Sequence, residues 1–301
     1  MKDSPIIVAL GEILWDVFPD GPKFGGAPAN FARTAAELAG PEADIYIVGA
    51  VGPDALGKNA VDLLASHGVD TAYVQLSDYP TGKVNVTLDN AGKPTFEIAE
   101  RTAWDHVEWL SNLDQLAARA DAICFGTLAQ RSPESSATIR QFVRATRPEC
   151  LRILDINLRA PFWNDDVIHD SIQLANVLKL NDAELPVLAK IFSLTGSEDE
   201  QLKSLMTRFD LHAVALTRGA DGATLLRATG ESSTQPVEPV KIADTVGAGD
   251  AYTAALAIGL LNDQPLEQIN AWANRVAAFA CTQPGGTPHF PEQLKVSTNI
   301  H

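Results

Sequence analysis

Short apolar segments alternate with longer helical patterns along nearly the whole chain. The apolar segments predict strands at Ile6–Leu10, Ile45–Ala50, Ala122–Gly126, Leu151–Asp155, Val177–Leu180, Ala213–Thr217 and Ala223–Leu226. The remaining pattern predicts helices at Ala29–Leu38, Ala55–His67, Ser135–Thr146, Glu184–Phe192, Glu198–Phe209, Ala251–Leu261 and after Pro265. Strands that are apolar throughout and separated by helices are typical of a mainly parallel sheet covered on both faces. We therefore expect an α/β fold.

One region has a different pattern. Lys83–Asp89 and Thr95–Ile98 alternate with period two around Asn90–Lys93, which predicts a hairpin with one buried face. The segment Ile13–Asp20, followed by a Gly-Pro pair, is expected to add a strand beside it. We interpret residues 1–301 as one domain with lid segments at about 12–24 and 81–103. A surface hairpin or a dimer contact is the alternative to a lid.

Charge and composition limit the possible partners. The chain of 301 residues has a net charge of −15, which argues against nucleic acid and anionic membranes. An anionic ligand would need local backbone amides and a metal ion to hold it. The three cysteines fit no zinc spacing, the first apolar segment is too short for a signal sequence, and no apolar run approaches membrane length. We expect a cytoplasmic protein.

The stretch Asp244–Asp250 combines two glycines with a carboxylate just before an apolar helix. Gly247 and Gly249 allow backbone angles that turn successive N–H groups toward one point at a helix N-terminus. Such a point binds a phosphate or a developing negative charge. Asp250 beside it is placed to act as a base, as transfer of a phosphoryl group to a hydroxyl requires. The alternative is an ordinary glycine turn in which Asp250 is the helix N-cap.

Three further stretches place polar or glycine residues near a predicted strand end or helix start. The glycine pair before Pro28 allows close backbone approach, with Asn30 in the following helical turn. Polar side chains after the strand that ends at Asp155 suit a hydroxyl-rich ligand. Asn181 and Glu184, three residues apart, suit the water shell of a Mg²⁺ ion. The alternatives are a loop-to-helix junction, a solvated loop and a capping box, respectively.

Together and in this order, these stretches resemble the ribokinase-like sugar kinases, and most closely the fructokinases. Gly25–Asn30 is similar to the N-terminal signature of that family, and Asp244–Ala251 to its C-terminal signature. Asn181–Glu184 matches its Asn-x-x-Glu motif, and Asn157–Trp163 resembles the corresponding segment of fructokinases. The resemblance implies a three-layer α/β/α domain with a β lid over the sugar, often with dimerisation through the lid.

The resemblance also implies residue roles. Asp250 would deprotonate the sugar hydroxyl, and the N–H groups of Gly247, Ala248 and Gly249 would form the anion hole. The implied sugar contacts are Asp16, Gly26, Asn30, Asn157 and Arg159. The implied nucleotide contacts are Thr217, Gly219, Gly222 and Asn274, with Asn181 and Glu184 serving Mg²⁺ and phosphate. The implied site for K⁺ comprises Asp244, Val246 and the loop at Gly285.

We therefore expect an ATP-dependent sugar kinase that uses Mg²⁺, and K⁺ as activator, and makes fructose 6-phosphate from fructose. A kinase for ribose, 2-keto-3-deoxygluconate or a nucleoside is the alternative within the class. From another class, the chain could be a catalytically silent protein that binds sugar or nucleotide. Trp104, just past the lid, offers an apolar face for a sugar ring, with a role in the core as the alternative.

Overall fold

The computed structural model describes residues 4–19, 21–88, 94–286 and 288–296. The strands are β1 Ile6–Leu10, β2 Leu14–Phe18, β3 Gly21–Gly25, β4 Asp44–Val51, β5 Val69–Asp70, β6 Val74–Leu76, β7 Gly82–Leu88, β8 Pro94–Ile98, β9 Ala122–Phe125, β10 Leu151–Asp155, β11 Val177–Asn181, β12 Ala213–Thr217, β13 Ala223–Arg227 and β14 Ser232–Gln235. The helices are α1 Ala27–Ala39, α2 Ala55–Ser66, α3 Asn112–Arg119, α4 Pro133–Ala145, α5 Asp165–Leu174, α6 Leu185–Phe192, α7 Glu198–Arg208, α8 Ala248–Leu261 and α9 Leu266–Cys281.

Within the described residues, a ten-stranded sheet runs in the order β14-β13-β12-β11-β10-β9-β1-β4-β5, with β6 also paired to β4. All its pairs are parallel except β12 with β13 and β13 with β14. The predicted mainly parallel sheet is confirmed. The strands predicted from apolar runs all form, with boundaries that move by one residue at most.

Both faces of this sheet are buried, because successive side chains of a strand point to opposite sides. Ile7 and Ala9 of β1 pack into a core beneath α1, α2, α8 and α9. Val8 and Leu10 of the same strand pack into a second core beneath α3 to α7. Helices therefore cover both faces, which gives the three layers implied by the family resemblance. Among the described residues, no helix is long and apolar enough to cross a membrane.

Four other strands form a separate small sheet in the order β3-β2-β7-β8. β7 pairs antiparallel with β8, which confirms the predicted hairpin, and β2 pairs parallel with β7. The predicted turn at Asn90–Lys93 lies outside the described residues. We call β2, β3, β7 and β8 the small sheet; its action as a lid stays a prediction.

Candidate active site

The carboxyl ends of several central strands meet the first turns of α1 and α8 around an open cleft of about 540 Å³. The small sheet contributes Val84, Phe96 and Ile98 to the lining. Predicted site residues that line it are Asp16, Gly26, Asn30, Asn157, Arg159, Asn181, Val246, Gly247, Gly249 and Asp250. Ligands of parallel α/β sheets bind at this edge of the sheet. The topology thus brings together motifs that are far apart in the sequence.

Gly247 shapes the turn that precedes α8. It is the N-cap residue, and its φ of 78° lies in the left-handed region. A Cβ at this position would lie 2.0 Å from the carbonyl oxygen of Gly286, so glycine is required. The first N–H groups of α8, at Ala248, Gly249 and Asp250, have no partner within the helix because they precede its first complete turn. The turn is therefore suited to bind an anion.

Asp250 is the third residue of α8 and not its N-cap, so the capping role considered from the sequence is wrong. Its Oδ2 accepts a hydrogen bond from Nδ2 of Asn30 at 2.8 Å. Desolvation at the cleft floor and the nearby carboxylate of Asp155 raise the pKa of Asp250 to about 6. The Asn30 hydrogen bond and the positive charges of Lys179 and Arg159 oppose this rise. At neutral pH the carboxylate is largely ionised and can accept a proton from a hydroxyl.

A buried ion pair lies beside this turn, and it was not part of the predicted site. Nζ of Lys179 is 3.1 Å from Oδ1 of Asp155, whose Oδ2 accepts from the Thr253 hydroxyl at 2.8 Å. Burial alone would lower the pKa of Lys179, but the neighbouring carboxylates, Asp155 first, outweigh it and raise that pKa. A Cβ on Gly249 would lie 2.9 Å from Nζ, so the ammonium group lies against the anion-binding turn. The available sequence signal was a single charge inside the apolar strand β11.

The same cleft holds the predicted sugar contacts. Desolvation raises the pKa of Asp16 to about 6, although the guanidinium of Arg159 opposes this effect. Asn157 has a φ of 40°, in the left-handed region that asparagine tolerates better than most residues. Gly26 is the N-cap of α1, and a Cβ there would lie 2.5 Å from the carbonyl oxygen of Glu12. The cleft thus presents carboxylate, amide and guanidinium groups, which suit a ligand with several hydroxyls.

Asn181 and Glu184 form a reciprocal cap at the end of β11. Oδ1 of Asn181 accepts from the N–H groups of Ala183 and Glu184, both at 3.0 Å. The Glu184 carboxylate accepts from the N–H groups of Asn181 at 2.8 Å and Leu158 at 2.9 Å. Asn181 lines the cleft, whereas Glu184 is only 4% exposed. The capping arrangement considered from the sequence is therefore present, and service to Mg²⁺ stays a prediction.

A second cleft of about 340 Å³ lies on the other side of the glycine turn. The predicted nucleotide contacts Thr217, Gly219, Gly222 and Asn274 all line it. Its remaining wall is mostly apolar and includes Val237, Val240, Ile242, Tyr252 and Ala277. Thr245 and Gly249 line both clefts. The glycine turn is thus the boundary at which two ligands would meet.

Asp244 ties the glycine turn to the loop that follows α9. Its carboxylate accepts from the N–H groups of Val246 at 3.0 Å and Gly285 at 3.1 Å. These contacts bring together the three positions predicted to hold a monovalent cation. Binding of a cation at these positions stays a prediction.

Trp104 lies in the core and not in the cleft. Its side chain is 0% exposed, and the guanidinium carbon of Arg131 lies 3.8 Å from the centroid of its ring. The prediction that it supports a sugar ring is wrong, because a fully buried ring has no face open to a ligand.

Comparison with solved structures identifies the fold. The fold is similar to that of a fructokinase from Vibrio cholerae O395, solved in a fructose, ADP and calcium ion bound form, with a TM-score of 0.79 and 24% identity over 97% of this chain and 96% of the other. It is equally similar to a putative ribokinase II from E. coli in complex with ATP and Mg²⁺, with a TM-score of 0.80 and 21% identity over 94% of both chains. These likenesses define the class, a ribokinase-like α/β fold.

The sequence itself identifies the family. Residues 21–293 match the pfkB family carbohydrate kinases. The protein therefore belongs to the pfkB family of carbohydrate kinases, as the motif resemblance indicated. It is 31% identical over 305 residues to a fructokinase of Klebsiella pneumoniae, an alignment that covers 95% of this chain and 96% of the relative.

Proposed function

We propose that this protein transfers the terminal phosphoryl group of ATP to a primary hydroxyl of a sugar, and that the sugar is fructose. The observation that carries the proposal is the junction of the two clefts at the glycine turn, with the Asp250 carboxylate on the sugar side. A phosphoryl group that passes from one cleft to the other must cross this turn. The expected product is fructose 6-phosphate.

In this mechanism Asp250 accepts the proton of the attacking hydroxyl as the new phosphorus–oxygen bond forms. The first N–H groups of α8 stabilise the negative charge on the transferring group, which leaves ADP. Lys179, against Gly249, adds positive potential from below the turn. No covalent enzyme intermediate is needed, because the two substrates bind on opposite sides of the same turn and can react directly.

The substrates are held by the residues that line each cleft. Asp16, Gly26, Asn30, Asn157 and Arg159 contact the sugar in this proposal. Thr217, Gly219 and Gly222 contact the phosphates and ribose of ATP, with Asn274 near the adenine. The apolar wall of the second cleft supports this assignment, because a purine base favours such a surface.

Two cations complete the proposed site. Mg²⁺ bound with the nucleotide would neutralise phosphate charge. Asn181 faces the cleft, and Glu184 positions it through the reciprocal cap. Because Oδ1 of Asn181 already accepts two backbone hydrogen bonds, its amide N–H group is the one available, and it can donate to a phosphate oxygen. Asp244, Val246 and Gly285 would hold K⁺, and the contacts of the Asp244 carboxylate bring these two chain segments together.

The small sheet is proposed to close over the sugar. Phe96 on β8 lines the cleft and is 55% exposed, so closure would remove apolar surface from water.

Strands β3 and β8 are the two edge strands of the small sheet, and pairing of one of them with a second copy of the chain would give a homodimer. Light scattering of the purified protein tests this part: a monomer at assay concentrations would contradict it.

Fructose is favoured by the relatives. The Klebsiella pneumoniae protein is a fructokinase, and the Vibrio cholerae fructokinase was solved with fructose. The decisive experiment is a coupled assay of purified protein with ATP and Mg²⁺ on fructose, ribose, glucose, 2-keto-3-deoxygluconate and adenosine. Fructose should give the highest kcat/KM. A tenfold preference for ribose or 2-keto-3-deoxygluconate would overturn the choice of sugar. Binding of a sugar without turnover of any would instead favour the silent binding protein.

A further inference from the structure

Glu12, two residues after the end of β1, is a buried carboxyl group that lines the sugar cleft. Only 3% of the residue is exposed, yet it lines both the cleft and a small cavity beneath it. Asp250 lines the same two spaces. Glu12 was not among the predicted site residues, because one acidic residue after an apolar strand forms no recognisable motif.

The two oxygens of Glu12 are in different situations. Oε1 accepts a long hydrogen bond, 3.3 Å, from the N–H group of Ala27 at the start of α1. Oε2 is buried and has no hydrogen-bond partner among the residues that the structure describes. A buried polar atom without a partner is destabilising by about 1–3 kcal/mol, so native structures rarely leave one unless a ligand or water completes it.

The surroundings of Glu12 keep it able to pair with a hydroxyl. Burial raises the pKa of Glu12 to about 7, and the Asp250 carboxylate adds to this rise, whereas the backbone N–H groups of Glu12 and Ala27 and the charge of Arg159 oppose it. Near neutral pH the group therefore exists in both protonation states. A protonated carboxyl donates a hydrogen bond and an ionised one accepts, and a sugar hydroxyl can complement either form.

We propose that Oε2 of Glu12 binds a hydroxyl of the sugar other than the one that Asp250 deprotonates, and thereby helps to determine which sugar is accepted. The inference rests on the proposed function, since it assumes that this cleft holds a sugar. Glu12 is a specificity-determining residue in this account and takes no part in proton transfer. The competing account is structural: Glu12 only caps α1 through Ala27.

The two accounts make different predictions when removal of one sugar hydroxyl is combined with replacement of Glu12. A wild-type site that pairs Glu12 with one hydroxyl should disfavour the sugar lacking that hydroxyl by about tenfold to a hundredfold. Replacing Glu12 by Ala removes the same contact, so the penalty for that one analogue should fall to within about threefold. Penalties for the other monodeoxy analogues should persist. A purely structural role predicts the same penalties in variant and wild type.

The experiment measures kcat/KM, and binding by calorimetry without nucleotide, for the best sugar of the assay panel and each of its monodeoxy analogues. The variants are Glu12→Ala, and Glu12→Leu as a volume-matched second variant should the first fail to fold. Glu12→Gln should restore most of the discrimination, because its amide can still pair with a hydroxyl. Glu37→Ala is the control, since Glu37 lies on α1 but pairs with His289 outside the cleft. The KM for ATP should stay within about twofold throughout.

Unchanged discrimination in folded Glu12→Ala or Glu12→Leu protein would overturn the inference. The calorimetry separates this failure from failure of the proposed function. If the wild type binds a sugar but transfers no phosphoryl group, the kinase proposal falls and the analogue penalties still decide the role of Glu12. If no panel sugar binds, both proposals are overturned.

Discussion

Asn30, in the first helix, donates a hydrogen bond from Nδ2 to Oδ2 of Asp250, in the first turn of α8, across 2.8 Å. The contact joins residues that are 220 positions apart in the chain. It stabilises the ionised form of the carboxylate, which Asp250 must adopt to accept a proton. Asn30 also lines the sugar cleft, and its predicted contact with the sugar stays a prediction.

The first prediction concerns the pH dependence of kcat/KM. Because Asp250 must be ionised to act as a base, kcat/KM should fall as the pH drops below about 6, the pKa of this group. Asn30→Ala removes the hydrogen bond that opposes the raised pKa. The acidic limb should then move upward by roughly one pH unit. Asn85→Ala, at an exposed position of the small sheet, should leave the limb in place. An identical limb in Asn30→Ala would contradict the assigned base.

The second prediction is the loss of turnover in Asp250→Asn. The amide keeps the shape of the carboxylate but cannot take a proton, so kcat should fall by about 10²- to 10⁴-fold. Nucleotide binding, measured by calorimetry, should change little, since the second cleft is intact. Asp263→Asn, just beyond the other end of α8 and exposed, serves as the control. Near wild-type turnover in Asp250→Asn would rule out its role as base.

The same substitution should change stability in a pH-dependent way. The folded pKa of Asp250 is raised from 3.8 to about 6, so ionisation of this group opposes folding as the pH rises through that window. Asn does not titrate. From about pH 4.5 to about pH 7.5, the free energy of unfolding of Asp250→Asn should therefore gain about 2 kcal/mol relative to wild type. Urea unfolding of both proteins at both pH values measures this difference. A loss of stability relative to wild type over this range would show that the fold stabilises the ionised form of Asp250.

The glycine turn supports a comparison of two substitutions. Gly247 and Gly230 both have φ in the left-handed region, at 78° and 92°. A Cβ at Gly230 meets nothing within 4 Å, whereas one at Gly247 would meet the Gly286 carbonyl. Gly230→Ala should lower the free energy of unfolding by about 1–2 kcal/mol and leave turnover unchanged. Gly247→Ala should cause the same backbone strain and should also displace the anion-binding turn, which lowers kcat by at least about tenfold. Equal kcat in the two variants would exclude a catalytic role for this turn.

The central strands were predictable because each is a continuous apolar run that needs burial on both sides. The strand Gly21–Gly25 was missed because its glycines and Pro22 are turn signals, and it pairs only as an antiparallel partner of β2. The strand Ser232–Gln235 was missed because it is polar and extends the sheet at its edge.

The site residues also divide into those that the sequence predicted and those that it did not. Residues in a local motif, such as those of the glycine turn, were predictable from the neighbours that share their backbone geometry. Lys179 and Glu12 were not, because each is a single charged residue whose partners come from other parts of the chain. A charge within or just after an apolar strand is the signal that sequence offers for such residues. Trp104 was misassigned because nearness to the lid in sequence does not determine which way a side chain points.

The last prediction concerns the buried pair of Lys179 and Asp155. Both side chains are at most 7% exposed, so removal of one partner leaves an uncompensated charge in the interior. Lys179→Met should lower the free energy of unfolding by about 3–5 kcal/mol. Lys179→Met combined with Asp155→Asn should be less destabilising than Lys179→Met alone, because the neutral amide can still accept the hydrogen bond from the Thr253 hydroxyl.

Urea unfolding of the wild type, both single variants and the double variant gives the coupling between the two residues. Lys203→Met is the control, since Lys203 pairs with Asp199 on the surface, where an ion pair contributes about 0–1 kcal/mol. Additive effects at Lys179 and Asp155 would mean that the two charges do not depend on each other in the folded state. Strong coupling would instead show that Asp155 holds the Lys179 ammonium group in place beside the glycine turn. Asp155→Asn should then also lower kcat.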